Sequence, residues 1–302
     1  MNQLTSEAKS LISVGVRYIF FGTPNFAAII LEKLIRAGML PVALVCNPDR
    51  PVGRKQDITP PPTKLLALQH SIPVLQPESL ENYEQQITNY KPEFSIVAAY
   101  ARILPKEILE IPRLGTIGVH PSLLPKYRGP SPIQSAILAG EKETGVTLFL
   151  MDEKLDHGPI IAGRKITIEG SSANSHELAD ELAEISAKLL IEVLPKFLEG
   201  GDQSPACRQA GLLQDESQAT YTKKFTSEDA FVSEEDLAGA TSGNSPEKAI
   251  KIARKIRALN PEPGVWTLRG DKRVKLLEAK LIDSRLQLTR IQKEGKTPSV
   301  LS

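Results

Sequence analysis

Short apolar runs alternate with helically spaced apolar residues along the first two hundred residues. Residues 17–21 form a β-branched and aromatic run, which ends at a Gly-Thr-Pro turn and is followed by apolar residues at helical intervals as far as Leu34. Apolar runs return at 41–46, around Val74 and at 94–99. Strands that are apolar throughout and alternate with helices predict a parallel sheet covered on both faces, with ligands beyond the carboxyl ends of its strands.

The pattern continues beyond residue 145 and then changes. Residues 146–151 and 163–168 predict two more strands, and residues 175–198 carry one apolar stripe, which predicts a long helix. After residue 220 the chain contains a Gly/Ser/Thr-rich stretch, a basic amphipathic stretch and short apolar runs. They predict, in that order, a loop at 238–245, a helix at 246–259 and strands at 265–269, 274–282 and 286–291.

These patterns predict four consecutive parts of the chain. We expect a loosely docked tail at 1–15, an α/β domain at 16–200, a polar linker at 201–219 and a smaller β-rich domain at 220–302.

The composition is that of an ordinary globular protein, with 302 residues of which 41% are hydrophobic and 24% charged. The formal net charge is only +1. Residues 248–302 nevertheless carry 14 lysines and arginines against 5 acidic residues, a local excess typical of surfaces that follow phosphates. Any nucleic-acid partner is therefore expected to bind a local basic surface rather than the molecule as a whole.

The cysteines and the N-terminal residues indicate a compartment. Cys46 and Cys207 stand far apart, without a second cysteine or a histidine at metal-ligand spacing, which predicts reduced thiols and no zinc site. The first residues lack the apolar core of a signal peptide, and no run has the length needed to span a bilayer. We therefore expect a cytoplasmic protein without membrane contact.

Two segments contain the chemically informative residues. Residues 118–131 read Gly-Val-His-Pro-Ser-Leu-Leu-Pro-Lys-Tyr-Arg-Gly-Pro-Ser, and residues 151–159 read Met-Asp-Glu-Lys-Leu-Asp-His-Gly-Pro. Together they resemble the signature of the folate-dependent formyltransferases, in which Asn-x-His and Ser-Leu-Leu-Pro are followed by Arg-Gly and later by Leu-Asp-x-Gly. The resemblance extends from Arg17 to about Ile282, which is nearly the whole chain.

The resemblance implies a fold. It implies an α/β fold, with a Rossmann-like parallel-sheet formyltransferase domain followed by a smaller C-terminal β-barrel of the OB-like type. A dinucleotide-binding enzyme is not expected, because the turn at residues 22–24 lacks the Gly-x-Gly-x-x-Gly spacing that brings a helix N-terminus to a pyrophosphate.

The resemblance also implies a reaction. A primary amine attacks the formyl carbon of 10-formyltetrahydrofolate, which requires removal of a proton from nitrogen and stabilisation of an oxyanion. His120 and Asp156 match the positions that assist proton removal, and no metal is expected. Gly118 stands where the family has an asparagine that donates to the formyl oxygen. His157 is expected to be a loop residue rather than a second base.

The resemblance further assigns binding residues. The family's folate loop and the turn beside the formyl group match Tyr100, Ala101, Arg102, Ile103 and Leu104, and Ser122, Leu123, Leu124 and Pro125. In the members that act on tRNA, a loop enters the acceptor stem, and the matching loop at 47–64 is long and stiffened by prolines. The candidate tRNA contacts are Arg50, Arg54, Lys55 and Lys64 in this loop, and Lys251, Arg254, Lys255 and Arg257 in the basic helix.

The expected partners are the initiator methionyl-tRNA and the co-substrate 10-formyltetrahydrofolate, bound by a monomer. Gly118 leaves alternatives open, because loss of one oxyanion donor costs about 100-fold to 1000-fold in rate in other enzymes. The chain is either an active tRNA formyltransferase with an altered oxyanion site or a tRNA- or folate-binding protein that is catalytically impaired. A third alternative, an amino-sugar formyltransferase, gives no reason for the basic loop and the basic C-terminal part.

Overall fold

A computed structural model describes residues 16–53, 56–199 and 212–301. The strands are β1 Tyr18–Gly22, β2 Ala43–Val45, β3 Arg50–Val52, β4 Asp57–Thr59, β5 Val74–Leu75, β6 Phe94–Ala98, β7 Thr116–His120, β8 Glu143–Leu150, β9 Ile160–Thr167, β10 Trp266–Arg269, β11 Lys272–Ile282, β12 Arg285–Lys293 and β13 Ser299–Val300. The helices are α1 Asn25–Arg36, α2 Pro62–Gln69, α3 Glu84–Thr88, α4 Lys106–Leu109, α5 Pro132–Ala139, α6 Ser175–Glu199, α7 Glu234–Ser242 and α8 Pro246–Leu259. The predicted tail at 1–15 and the linker residues 201–211 lie outside the described residues.

The main sheet has seven strands in the order β5-β2-β1-β6-β7-β8-β9. Strand β1 pairs in parallel with β2 and β6, whereas β7 pairs in parallel with β6 and antiparallel with β8. All residues of β1 and β7 are buried, as expected for central strands of a sheet covered on both faces. The predicted α/β sheet is confirmed, and the pairing of Ala98 with Val119 places the carboxyl ends of β6 and β7 side by side.

The turn between β1 and α1 requires glycine. A Cβ atom on Gly22 would lie 2.8 Å from the carbonyl oxygen of Ala98, so the two strands could not approach this closely with a larger residue. Helix α1 then buries Phe26, Ile30 and Leu34, which is the helical spacing that the sequence predicts.

Two predicted loops contain secondary structure. Strands β3 and β4 form an exposed hairpin within the loop at 47–64. The predicted loop at 238–245 is wrong, because helix α7 occupies most of it. This helix begins after Ser233, whose hydroxyl accepts a hydrogen bond from the Asp236 N–H, and ends at Gly243 in the left-handed region. Both caps offset the low helix propensity of the Gly/Ser/Thr-rich residues.

The predicted small β-rich part is confirmed as an antiparallel sheet in the order β10-β11-β12-β13. In the described residues, the segment predicted to form an OB-like barrel contains this four-stranded sheet. Helix α8 buries Ile252, Ile256 and Leu259 along one face and packs against β11 and β12. Its amphipathic pattern therefore reflects core packing on one side and charge on the other.

The chain forms two compact units. The first gathers residues up to Arg128, residues 145–166 and residues 179–221, and the second gathers 129–144, 167–178 and the remainder. Helix α5 thus belongs to the unit that contains the C-terminal sheet. The continuous domain boundaries at 16–200 and 220–302 stay predictions.

Candidate active site

His120 is the last residue of β7 and is only 5% exposed. Its Nε2 lies 2.8 Å from the carbonyl oxygen of Tyr127. Because a carbonyl oxygen only accepts, this contact requires the proton on Nε2, and in the neutral ring the lone pair is then on Nδ1. The basic atom of the imidazole is therefore Nδ1.

Asp156 faces that basic atom. Its Oδ2 lies 3.6 Å from Nδ1 of His120, and both side chains are largely buried. The backbone of Asp156 is left-handed, with φ of 47°, which aspartate tolerates better than most residues. The structure thus brings the predicted pair together, so that a proton on Nδ1 lies next to a negative charge.

The turn after β7 is fixed by hydrogen bonds to β8. Thr147 donates its hydroxyl proton to the Ser122 carbonyl at 2.7 Å and accepts from the Leu124 N–H at 3.1 Å. Ser122 donates its own hydroxyl proton to the carbonyl of Lys126. The residues of this turn that were predicted to face the folate are therefore held in one conformation by β8.

Arg128 is a buried cation close to this turn. Its side chain is 1% exposed, and its guanidinium makes five hydrogen bonds, with Gln214, Glu216 and Tyr221. Five bonds match the five N–H groups of a guanidinium. Because a buried charge is tolerated only when it is paired in this way, the segment at 214–221 is tied to this unit through Arg128, although most of its residues are exposed.

The same segment holds the main chain around the histidine. Thr220 accepts the Tyr127 N–H on its hydroxyl and the Arg128 N–H on its carbonyl, both at 2.8 Å. This role is not predicted from the sequence, whose composition predicts a linker and the start of the second domain here. Only Arg128 lies in the quoted motif, and its partners are 86 to 93 residues away, so no local pattern could identify them.

Gly118 lies two residues before His120, on the same face of β7, and pairs with Phe149 on β8. A Cβ atom on residue 118 would lie 2.5 Å from Cζ of Phe149 and 3.1 Å from Cγ of Met151. Phe149 is 2% exposed. The phenyl ring therefore fills the volume in which the family's asparagine side chain would begin, a contact that no sequence pattern indicates.

The predicted folate loop follows β6 and divides into buried and exposed residues. Tyr100 and Leu104 belong to the core, and burial raises the pKa of the Tyr100 hydroxyl to about 12. Arg102 donates from Nη1 to two main-chain carbonyls. Ala101 and Ile103 are exposed, the latter by 85%. A ligand at this loop would therefore meet Ala101, Ile103 and the main chain, whereas Tyr100 and Leu104 support the loop from within.

The predicted tRNA contacts in the loop at 47–64 differ in their accessibility and in their ion pairs. Arg54 and Lys55 lie outside the described residues. Nζ of Lys64 lies 2.8 and 2.9 Å from the two carboxylate oxygens of Asp49, and this hydrogen bonding keeps the pKa of Asp49 below its ordinary value. Arg50 is exposed and forms a surface ion pair of 3.2 Å. Lys64 therefore stabilises the base of the loop, whereas Arg50 is accessible.

Helix α8 presents its four predicted tRNA contacts unequally. Arg254, Lys255 and Arg257 each donate a hydrogen bond to a main-chain carbonyl of their own unit. Burial lowers the pKa of Lys255 and of Arg257. Lys251 is the exposed residue among the four. Much of the basic character of this helix is therefore used to hold neighbouring loops.

His157 adjoins Asp156 but is directed elsewhere. Its Nδ1 lies 2.6 Å from Oδ2 of Asp152, and its Nε2 lies 3.5 Å from Oε1 of Glu216. Both ring nitrogens face carboxylates outside the predicted pair. This supports the expectation that His157 is not the base.

Neither a metal-binding group nor a membrane-spanning helix occurs in the described part of the chain. Histidine, cysteine, aspartate and glutamate do not assemble there into a group of three that could hold a metal ion. No helix within residues 16–53, 56–199 or 212–301 combines the length and apolar character that crossing a bilayer requires.

Comparison with known families identifies both parts of the chain. Residues 16–194 match the formyl transferase model, and residues 246–300 match the model of the formyl transferase C-terminal domain. The first match contains β1 to β9, with His120, Asp156 and the predicted folate loop.

Individual relatives agree with these matches. The methionyl-tRNA formyltransferase of Chloroflexus aurantiacus is 41% identical over 266 residues, which cover 87% of this chain and 80% of that protein. The crystal structure of methionyl-tRNA formyltransferase from Clostridium thermocellum superimposes with a TM-score of 0.57 at 17% identity, over 92% of this chain and 98% of that one. HypX from Aquifex aeolicus in complex with tetrahydrofolic acid gives 0.63 at 18% identity, over 94% of this chain and 45% of HypX, so this chain spans less than half of HypX. These two structures show the fold.

Proposed function

The chain belongs to the formyl transferase family, and from this premise we propose that it transfers a formyl group from 10-formyltetrahydrofolate to the amino group of methionyl-tRNA. The observation that supports the chemistry is the buried pair at the end of β7. Nε2 of His120 is fixed by a carbonyl, and Nδ1 faces Asp156 at 3.6 Å. A base with a defined basic atom and an adjacent carboxylate suits the removal of a proton from an attacking amine.

The reaction exchanges one bond for another. The acceptor nitrogen bonds to the formyl carbon, the bond from that carbon to N10 of the folate breaks, and N10 gains a proton. Nδ1 of His120 accepts the proton that the acceptor nitrogen loses, and the carboxylate of Asp156 stabilises the imidazolium. A positioned base of this kind contributes about 100-fold to 10,000-fold in rate.

The formyl oxygen gains negative charge during this reaction, and residue 118 offers no side-chain donor. Stabilisation of the oxyanion is left to the imidazolium of His120 and to solvent. We therefore expect turnover about 100-fold to 1000-fold below that of a site with a complete set of donors. The ring of Phe149 over Gly118 favours a second candidate, a folate- and tRNA-binding protein that is catalytically impaired.

The folate is assigned to the strand ends beside the pair. The loop at 99–104 leaves β6 and the turn at 121–127 leaves β7, and these strands are neighbours in the sheet. The exposed side chain of Ile103 and the left-handed backbone of Ala101 give this loop apolar and main-chain contacts for a flat heteroaromatic ring. Carboxyl ends of parallel strands are the usual ligand site of such sheets.

Three observations favour tRNA as the acceptor over a small amine. The curated relatives that share about 40% of their residues with this chain bear the name methionyl-tRNA formyltransferase. The chain also matches the family's C-terminal domain, and residues 248–302 carry the basic excess that phosphates attract. The exposed cations Arg50 and Lys251 are the described candidates for the first phosphate contacts.

The test is single-turnover transfer of radiolabelled formyl from 10-formyltetrahydrofolate, with methionyl-tRNA and an amino-sugar nucleotide offered as alternative acceptors. Transfer to methionyl-tRNA that disappears on His120→Ala supports the proposal. Preferential transfer to the amino-sugar nucleotide overturns the choice of acceptor. Failure to transfer to either acceptor, with retained binding of folate and tRNA in equilibrium measurements, identifies the impaired binding protein instead.

A further inference from the structure

We propose that Gln214 is a positioning residue for the His120–Asp156 pair, and that Gln214 and Thr220 consequently support the active site from a segment predicted as linker and domain start. The inference rests on the proposed function, because it assigns a role relative to the base and its carboxylate. It goes beyond that function by naming a residue that does not itself touch the reacting atoms.

Both the oxygen and the nitrogen of the Gln214 side-chain amide form hydrogen bonds. Its Oε1 accepts from Nε and Nη2 of Arg128, at 3.0 and 2.8 Å. Its Nε2 donates to the carbonyl of Asp156 at 3.0 Å and to the carbonyl of Gly158 at 2.8 Å. A carboxylate in this place could accept but not donate, and an aliphatic side chain could do neither, so the position requires a primary amide.

The Arg128 end of this bridge is firmly anchored. Arg128 is 1% exposed, and its guanidinium is also bound by Glu216 at 2.6 and 3.0 Å. Its main-chain N–H donates to the carbonyl of Thr220, whose own N–H donates to the carbonyl of Pro125. The bridge therefore connects the Asp156 loop to a fixed point of the core.

The Asp156 end is the part that needs support. Asp156 is left-handed at φ of 47°, a conformation that a non-glycine residue keeps only when its surroundings hold it. Gln214 binds the carbonyls of residues 156 and 158, on either side of His157, and so fixes the direction in which the Asp156 side chain leaves the backbone. Leu212 adds two main-chain hydrogen bonds with Ile160 just beyond.

The same segment also supports the histidine. The hydroxyl of Thr220 accepts the N–H of Tyr127, and the carbonyl of Tyr127 accepts from Nε2 of His120. One stretch of chain therefore fixes both partners, Asp156 through Gln214 and His120 through Thr220. A shift of this stretch would change the distance of 3.6 Å between them.

The experiment compares Gln214→Glu with Gln214→Leu and with the matched control Gln218→Glu. The first variant keeps an acceptor for Arg128 and removes both donors to the Asp156 loop, and the second removes all four hydrogen bonds. Gln218 lies in the same segment, and its side chain is exposed. We expect Gln214→Glu to lower kcat by about 10-fold, with KM for 10-formyltetrahydrofolate and for methionyl-tRNA within about twofold of wild type, because positioning acts on the transition state. Gln218→Glu should retain wild-type kcat.

A double-mutant cycle with Asp156→Asn separates positioning from general damage. If Gln214 acts through Asp156, adding Gln214→Glu to Asp156→Asn should lower kcat by less than about twofold more. Losses that multiply, an unchanged kcat in Gln214→Glu, or a change confined to KM would each overturn the inference. Thermal denaturation shows whether each variant is folded. If Gln214→Glu unfolds, Gln214→Leu, which introduces no charge, replaces it in the cycle with Asp156→Asn.

The outcomes also distinguish this inference from the proposed function. Failure of the wild type to transfer formyl to methionyl-tRNA would remove the proposed function itself, and full activity in both His120→Ala and Asp156→Asn would remove the assigned base pair. Impaired His120→Ala and Asp156→Asn together with an unaffected Gln214→Glu would remove only the role of Gln214.

Discussion

Two positions on β7, His120 and Gly118, lie two residues apart on the same face and have different surroundings. The polar atoms of His120 both have partners, a carbonyl at Nε2 and a carboxylate at Nδ1. At Gly118 the ring of Phe149 occupies the space next to the backbone. One position is enclosed by hydrogen-bonding groups, and the other is packed against an apolar ring.

The difference shows that the two tasks of a formyl transfer site are supported separately. The proton-accepting half is held by the turn after β7, the Asp156 loop and the segment at 212–221, so it does not depend on residue 118. Stabilisation of the oxyanion depends on which side chain, that of residue 118 or that of Phe149, occupies the space between β7 and β8. A missing side chain at position 118 is therefore also a packing change, since its space is already occupied.

The largest expected effect tests the histidine position. We expect His120→Ala to lower single-turnover formyl transfer by about 100-fold to 10,000-fold, because it removes the proton acceptor. His70→Ala is the matched control, since His70 is exposed at the end of α2 and should be neutral. A His120→Ala variant that transfers formyl at the wild-type rate would place the base elsewhere.

The next effect tests the glycine position and requires two substitutions. We expect Gly118→Asn alone to destabilise the protein by about 1–3 kcal/mol through overpacking against Phe149, without a gain in rate. Phe149→Leu removes the ring atoms that the new Cβ would meet. Gly118→Asn with Phe149→Leu should then raise kcat by about 100-fold over Phe149→Leu alone, if the amide reaches the formyl oxygen.

The readouts for this pair are chemical denaturation and single-turnover rates. A single Gly118→Asn variant that is as stable as wild type and faster would show that the ring yields easily. A double variant that regains stability without any gain in rate would show that the oxyanion is stabilised by other groups.

A smaller effect tests the carboxylate beside the base. Asp156→Asn keeps the shape and removes the charge that faces Nδ1, so we expect kcat to fall by about 10-fold to 100-fold. Asp152→Asn is the control, because Asp152 binds His157 instead. Equal losses in the two variants would mean that the loop as a whole, rather than the charge of Asp156, determines the rate.

The smallest effect concerns the pH dependence of stability around Arg128. The hydrogen bond from Arg128 holds the pKa of Glu216 below its ordinary value of 4.5. A carboxylate with a lowered folded-state pKa stabilises the fold above 4.5, and this stabilisation is lost as the pH falls through the folded-state value.

The urea midpoint of the wild type should therefore fall more between about pH 6 and about pH 3 than the midpoint of Glu216→Gln. Glu192→Gln is a suitable control, because its partner Arg164 is exposed, whereas Arg128 is buried. Parallel pH curves for wild type and Glu216→Gln would show that the ion pair contributes nothing to stability in this range.

Most of the fold could be predicted from the sequence because its strands and helices have long, consistent apolar patterns. Strands β1 and β6 and helix α8 fall where the periodicity places them. The hairpin of β3 and β4 was missed because its three-residue strands are exposed and have no apolar alternation. Helix α7 was missed because its composition resembles a loop, although Ser233 and the acidic residues after it form a helix start signal.

The candidate site was predictable where motif residues are close in sequence, and not where it depends on distant contacts. His120 and Asp156 follow from the two motifs, and the structure places them together. Gln214 and Thr220 lie in a polar segment whose composition gives no sign of their contacts, and Phe149 is one apolar residue in an apolar strand. Lys64 is a residue whose predicted role differs from its contacts. Its charge predicts a tRNA contact at the surface, but it pairs with Asp49 within the same loop.

The hydrogen bonds of the 212–221 segment also define where this protein can be divided. A fragment that ends with helix α6 would contain His120 and Asp156 but would lack Gln214, Glu216 and Tyr221, to which the buried guanidinium of Arg128 donates. A truncated form of the protein that keeps these partners of Arg128 must therefore extend at least to Tyr221.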